Sequence, residues 1–162
     1  MREDMREELT PTVAKVAAAL REHGVSGEVI TLPEPAPTAA AAAEQLGCPV
    51  GAIANSLVFD ADGAPLLVLT SGAHRVNTDV VARHVGAQRV RRASPEFVRE
   101  ATGQAIGGVA PVGHPAPIRT LVDKWLARHE RVWAAGGHPR TVFPTTFEEL
   151  VRITGGTPVE VE

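Results

Sequence analysis

The chain has 162 residues and a net charge of -3. That is the size of one domain, burying about 70% of its unfolded surface, and it is too acidic to hold nucleic acid through bulk charge. One cysteine, Cys48, excludes an intrachain disulfide, and no apolar run approaches the roughly 20 residues of a membrane helix. Residues 1–8 are charged, with no apolar leader, so the expected setting is a reducing cytoplasm.

Thr10 and Pro11 suit the N-cap and first position of a helix. Val13, Val16, Ala17 and Leu20 give that helix an apolar face, and Gly24 ends it. Residues 28–32 read as a short strand, followed by a connector stiffened by Pro33, Pro35 and Pro37. Thr38 caps a helix over 39–46 that Gly47 stops. Its alanines leave little bulk, so it should pack closely against a neighbour. Residues 49–54 read as a short helix or turn.

Residues 57–59 and 66–69 form a predicted hairpin across the turn at 60–63. Asn77 or Thr78 caps a helix ending at Gly86, 89–91 is a short strand, and Ser94 with Pro95 starts a helix ending at Gly103. Strands follow at 118–122, 131–135 and 141–143, with a helical turn at 124–128. A capping box at 145–148 opens a last helix that stops at Gly155. Helices interleaved with hairpins predict an α+β fold, a mixed sheet flanked by helices, in place of a doubly wound parallel sheet.

Three stretches carry candidate chemistry. In the loop 107–114, Gly107, Gly108 and Gly113 permit close backbone approach and positive φ, and Pro111 stiffens the bend. Its backbone N–H groups suit a carbonyl oxygen, although an ordinary turn fits the same spacing. Gly136, Gly137 and His138 form a second bend, where His138 either polarises a substrate or lies on a surface loop. Asn55 and Ser56 precede an apolar strand, where they are pocket donors or strand caps. The six histidines give no metal-ligand spacing, and no nucleophile elbow occurs. Arg89, Arg91, Arg92, Lys124, Arg128, Arg131 and Arg140 could rim a phosphate site, but a solvated face is the plainer reading for each.

Taken in order, Thr38 opening a helix, 50–53 leading into Ser56-Leu57-Val58-Phe59, the strand 66–69, the loop 107–113, Val122-Asp123 and 133–137 resemble the YbaK/EbsC family. Its members are free-standing relatives of the bacterial prolyl-tRNA synthetase editing domain. The resemblance implies a mixed, strongly twisted sheet rolled towards a partial barrel, with a core over 28–155 and a helical extension over 1–27 in a single domain. It implies an aminoacyl-tRNA deacylase that removes a wrong amino acid from tRNA, tRNA-Pro above all. Aminoacyl-tRNA and prolyl-tRNA synthetase are the implied partners, with no cofactor, metal or membrane.

The residues that the resemblance assigns to catalysis are Asn55, Gly107 and Gly108. It assigns Ser56, Val109, Pro111, Gly113, His114, Asp123, Gly136, Gly137 and His138 to substrate binding. One position departs from the family pattern: Asn55 stands where family members carry a lysine, which keeps a donor and loses a charge. Retained hydrolysis and a non-catalytic module that binds aminoacyl-tRNA or a small ligand both remain open on the sequence.

Overall fold

The computed structural model describes residues 2–162, and side-chain surroundings from Pro11 onward. Five α-helices are present: α1 (Arg2–Glu22), α2 (Ala39–Leu46), α3 (Thr78–Val85), α4 (Pro95–Thr102) and α5 (Phe147–Thr154). Eight strands accompany them: β1 (Ile30–Thr31), β2 (Ile53–Ala61), β3 (Ala64–Ser71), β4 (Val90–Arg92), β5 (Arg119–Asp123), β6 (Val132–Ala135), β7 (Thr141–Thr145) and β8 (Thr157–Val159).

Most boundaries follow from capping chemistry. The Thr38 hydroxyl accepts from the Ala41 N–H, Asn77 from Asp79 and Val80, and Ser94 from Phe97. The helices so opened close on left-handed Gly47, Gly86 and Gly103. Two expected starts differ. The first helix begins at Arg2, and Pro11 lies inside it. Arg, Glu and Met upstream are strong helix formers, so the helix runs through a proline that reads locally as a start. The last helix is capped by Thr146, whose hydroxyl accepts from the Glu149 N–H, because Thr145 is the buried end of β7. β8 escapes a sequence reading because it is three residues long and contains Pro158.

The strands form one mixed sheet in the order β1-β7-β6-β2-β3-β5-β8, with β4 added beside β2. The sheet is open: β1 and β8 are its ends, and they do not pair. The main core lies on one face. There Ala54 and Val58 of β2 and Leu67 and Leu69 of β3 meet Val16 and Leu20 of α1, Val98 of α4 and Leu150 of α5. On the other face Phe59, Leu66 and Val68 pack with Val81 of α3 and the C-terminal Val159 and Val161.

One detail of the pairing positions the site. β3 covers one edge of β2 along its length. The other edge is shared: β6 runs parallel to Ile53 and Ala54, and β4 runs antiparallel to residues 59–61. Residues 55–58 have no strand on that edge. The Ile53 carbonyl accepts from the Gly72 N–H on the β3 side. Backbone alternation then turns the Ser56 N–H and carbonyl towards the open edge.

Candidate active site

A cavity of about 360 Å³ occupies this break in the sheet. β2 lines it from Ile53 to Phe59, the loop after α4 contributes Ile106, Gly107, Gly108 and Val109, and the β6–β7 turn contributes His138 and Pro139. Thr38 and Ala39, at the start of α2, close another side, with Arg92 at the end of β4. The alanine-rich helix does pack closely, since a methyl group on Gly72 would lie 2.8 Å from the Ala39 Cβ.

The two glycine-rich loops meet at the cavity. A Cβ on Gly108 would fall 2.5 Å from the His138 carbonyl carbon and 2.7 Å from its Cα. Only glycine fits that approach. Gly107 has a φ of 95°, a left-handed conformation that side chains rarely adopt.

Ser56 and Asn55 sit on opposite faces of β2. Ser56 is paired with Leu69 and shares the face of Ala54 and Val58. Its hydroxyl is the one buried side-chain polar atom among the described residues with no hydrogen-bond partner. Its backbone groups and hydroxyl are therefore all available to a bound molecule. Asn55 is exposed, at the rim of the cavity on the other face.

His138 has a defined tautomer. Its Nδ1 accepts the Arg140 backbone N–H at 3.1 Å, so in the neutral ring the proton sits on Nε2. Burial first, and the nearby Arg140 charge second, hold its pKa below the ordinary histidine value. The Thr141 hydroxyl clamps the turn, donating to the His138 carbonyl at 2.9 Å and accepting from its N–H at 3.1 Å. His138 thus offers the cavity a neutral N–H donor.

The remaining expected site residues lie elsewhere. The loop 107–114 is not one wall. Pro111, Gly113 and His114 line a separate cleft of about 290 Å³, with His23 and Ile153. There the His114 Nε2–H donates to the Ala110 carbonyl at 2.9 Å, and burial lowers its pKa. Gly136 and Gly137 shape the second bend against Val29 and Thr141, and against Val16 and Thr12, without lining the cavity. Asp123 is buried beneath the end of β5. It accepts from the Ser71 N–H at 2.9 Å, the Trp125 N–H at 2.9 Å and the Thr70 hydroxyl at 3.4 Å, and it contacts the His74 ring at 2.8 Å. It braces the sheet and does not face the cavity.

The basic residues do not form one rim. Arg91 pairs with Asp60 at 3.4 Å, Arg128 stacks over Trp125, and Arg140 donates to the Leu32 and Pro33 carbonyls. Of these cations, Arg92 alone reaches the cavity.

One residue behind the site had no sequence signal. Gln104 is buried, its Oε1 accepts the Ala110 N–H at 2.7 Å, and its Nε2 donates to the Val112 carbonyl at 3.1 Å. It ties down the chain immediately after Val109. Among the described residues no three His, Cys, Asp or Glu side chains converge as a metal site, and no helix is long and apolar enough to cross a membrane.

An open mixed sheet with two glycine-rich loops meeting over a break in it defines an editing-type domain. The chain belongs to the aminoacyl-tRNA editing domain family, whose model matches residues 33–153. A solved structure put forward as a trans-editing enzyme for prolyl tRNA synthetase is 41% identical, with a TM-score of 0.89 over 95% of this chain and 98% of that one. A proline–tRNA ligase of Maridesulfovibrio salexigens is 31% identical over 133 residues, 77% of this chain and 22% of the ligase. The chain thus spans about a fifth of that enzyme. An uncharacterized protein of Bacillus subtilis, YwhH, is 30% identical over 109 residues, 67% of this chain and 69% of that protein.

Proposed function

We propose that the protein is a free-standing aminoacyl-tRNA deacylase that hydrolyses the ester of a mischarged amino acid, with tRNA-Pro as its carrier. The observation that carries this reading is the cavity at the strand break, lined together by Gly108 packed on His138 and by Ser56 with its unpartnered hydroxyl. Such a site suits an ester held between hydrogen-bond donors. Water, activated with help from the neighbouring ribose hydroxyl, attacks the ester carbonyl. Negative charge gathers on the carbonyl oxygen, and the ribose oxygen leaves with a proton.

Donors fixed before the reaction stabilise that charge most, because they need not reorganise. The loop N–H groups and His138 fit this role. His138 donates from Nε2, and its Nδ1 is already occupied by Arg140, so it serves better as a donor than as a base. Among the described residues no carboxylate lines the cavity. Asn55, at the rim, would donate to the substrate as a neutral group. A second hydrolytic site is needed because one methylene gives a synthetase pocket only about 1–3 kcal/mol of discrimination.

The alternative is a binding module without turnover, which the uncharged Asn55 favours. A panel of Ala-, Ser-, Thr-, Cys- and α-aminobutyryl-tRNA-Pro separates the two. Release of at least one amino acid faster than buffer is expected, and it should be lost in Asn55→Ala. No release above background across the panel, with saturable binding of the same RNAs, establishes the binding module instead.

A further inference from the structure

We propose that Arg92 holds a backbone phosphate at the acceptor end of the RNA, supplying from β4 the positive charge that Asn55 on β2 does not provide. The inference rests on the reading of the cavity as a site for an RNA acceptor end.

Among the described residues that line the cavity, Arg92 is the only one with an ionised side chain. It is exposed, and no ion pair or side-chain hydrogen bond to a described residue engages its guanidinium. Its neighbour Arg91 is occupied by Asp60. No Asp or Glu is among the described lining residues, so an anion entering there meets no competing carboxylate from them.

The register places this charge. Arg92 pairs directly with Phe59, so the two share a face of the sheet. Alternation along β2 puts Leu57 and Asn55 on that same face. Arg92 and Asn55 therefore flank the strand break from its two sides, one on β4 and one on β2. Ser56 opens to the opposite, core-facing side. A ligand threading the break would carry its small acyl part towards Ser56, Val98 and Val109 and leave its charged backbone at the rim. A guanidinium suits that place because it binds two phosphate oxygens in a fixed fork. With a net charge of -3, binding of RNA must rest on a few local cations of this kind.

The test uses the full chain and a fluorescent acceptor-stem hairpin whose terminal ribose carries alanine through a non-hydrolysable amide. Affinity is measured over a range of salt for the wild type, Arg92→Gln, Arg92→Lys and the double variant Arg92→Gln/Asn55→Lys. Thermal melts confirm that each is folded. Arg92→Gln is expected to weaken binding about tenfold, the loss of one charge-assisted contact. The slope of log affinity against log salt should fall by about one. Arg92→Lys should keep the slope, and the double variant should recover most of the affinity.

Unchanged affinity and slope in folded Arg92→Gln overturns the proposal, as does a wild type that does not bind the hairpin. A double variant no tighter than Arg92→Gln overturns the exchange of charge between positions 55 and 92. Arg92-dependent binding in a protein that releases no amino acid upholds Arg92 and removes only the hydrolase reading.

Discussion

The Cα of Gly108 rests on the backbone of His138, so closely that an added methyl group would lie 2.5 Å from the His138 carbonyl carbon. The clash is with backbone, which cannot swing aside. Gly108→Ala must push one loop off the other by a large part of an ångström. Donors misplaced by about 1 Å cost on the order of a hundredfold in rate. The expected result is a loss of deacylation of that order, with a thermal midpoint lowered by only a few degrees. A drop in stability without a fall in activity would show that the contact is not part of the working site.

Gln104 holds the other end of the same loop. Its two bonds, to the Ala110 N–H and the Val112 carbonyl, are made in a buried setting. Gln104→Leu keeps the volume and leaves both backbone groups without partners. Each such orphan costs about 1–3 kcal/mol, so urea unfolding should show a loss of about 2–4 kcal/mol. Deacylation should fall as well, because Val109 and Gly108 are tethered through that anchor. A loss under 1 kcal/mol would mean that the loop is held by its own packing.

The sequence carried much of this fold, because caps and glycine stops are local. Thr38, Asn77 and Ser94 each act within three residues of themselves. What it did not carry is non-local. The break along β2 arises because β6 and β4, forty residues apart in the chain, share one edge of β2 and leave 55–58 uncovered. No periodicity in β2 announces it. The contact of Gly108 with His138 was likewise invisible, although both glycine-rich bends could be picked out. Pro111, Gly113 and His114 belong to the same short loop as Gly108, yet the chain bends at residues 111–112 and carries them to another cleft. Asp123 is a polar residue at the end of an apolar strand, a pattern shared by pocket residues and buried braces, and the sequence does not announce its partners, the Ser71 N–H and the His74 ring.

Titration offers a separate check. Burial lowers the pKa of both His114 and His138 from the ordinary value of 6.5. The folded state therefore binds fewer protons than the unfolded one as pH falls past 6.5. Stability should be level well above pH 6.5 and decline as the pH falls below it. His114→Gln keeps a donor for the Ala110 carbonyl and removes one titrating ring, so its decline should be shallower. Urea midpoints over this range read the effect. An equal decline in His114→Gln would place the titrating group elsewhere.

Ser56 sets binding against stability. Its hydroxyl is buried and unpartnered in the free protein, and burying such a group costs about 1–3 kcal/mol on mutational scales. Ser56→Ala removes that cost and leaves only a small void, so the variant should be more stable by about 0.5–1.5 kcal/mol. A group kept at the expense of stability is expected where a ligand uses it. The same variant should therefore bind the non-hydrolysable aminoacyl hairpin about tenfold less tightly, the loss of one hydrogen bond left unmade in the complex. Denaturation and binding measured on one preparation test both halves. A variant that gains stability and binds normally would leave the hydroxyl as a flaw in the core, and the reacting ester would have to be held by the loops alone.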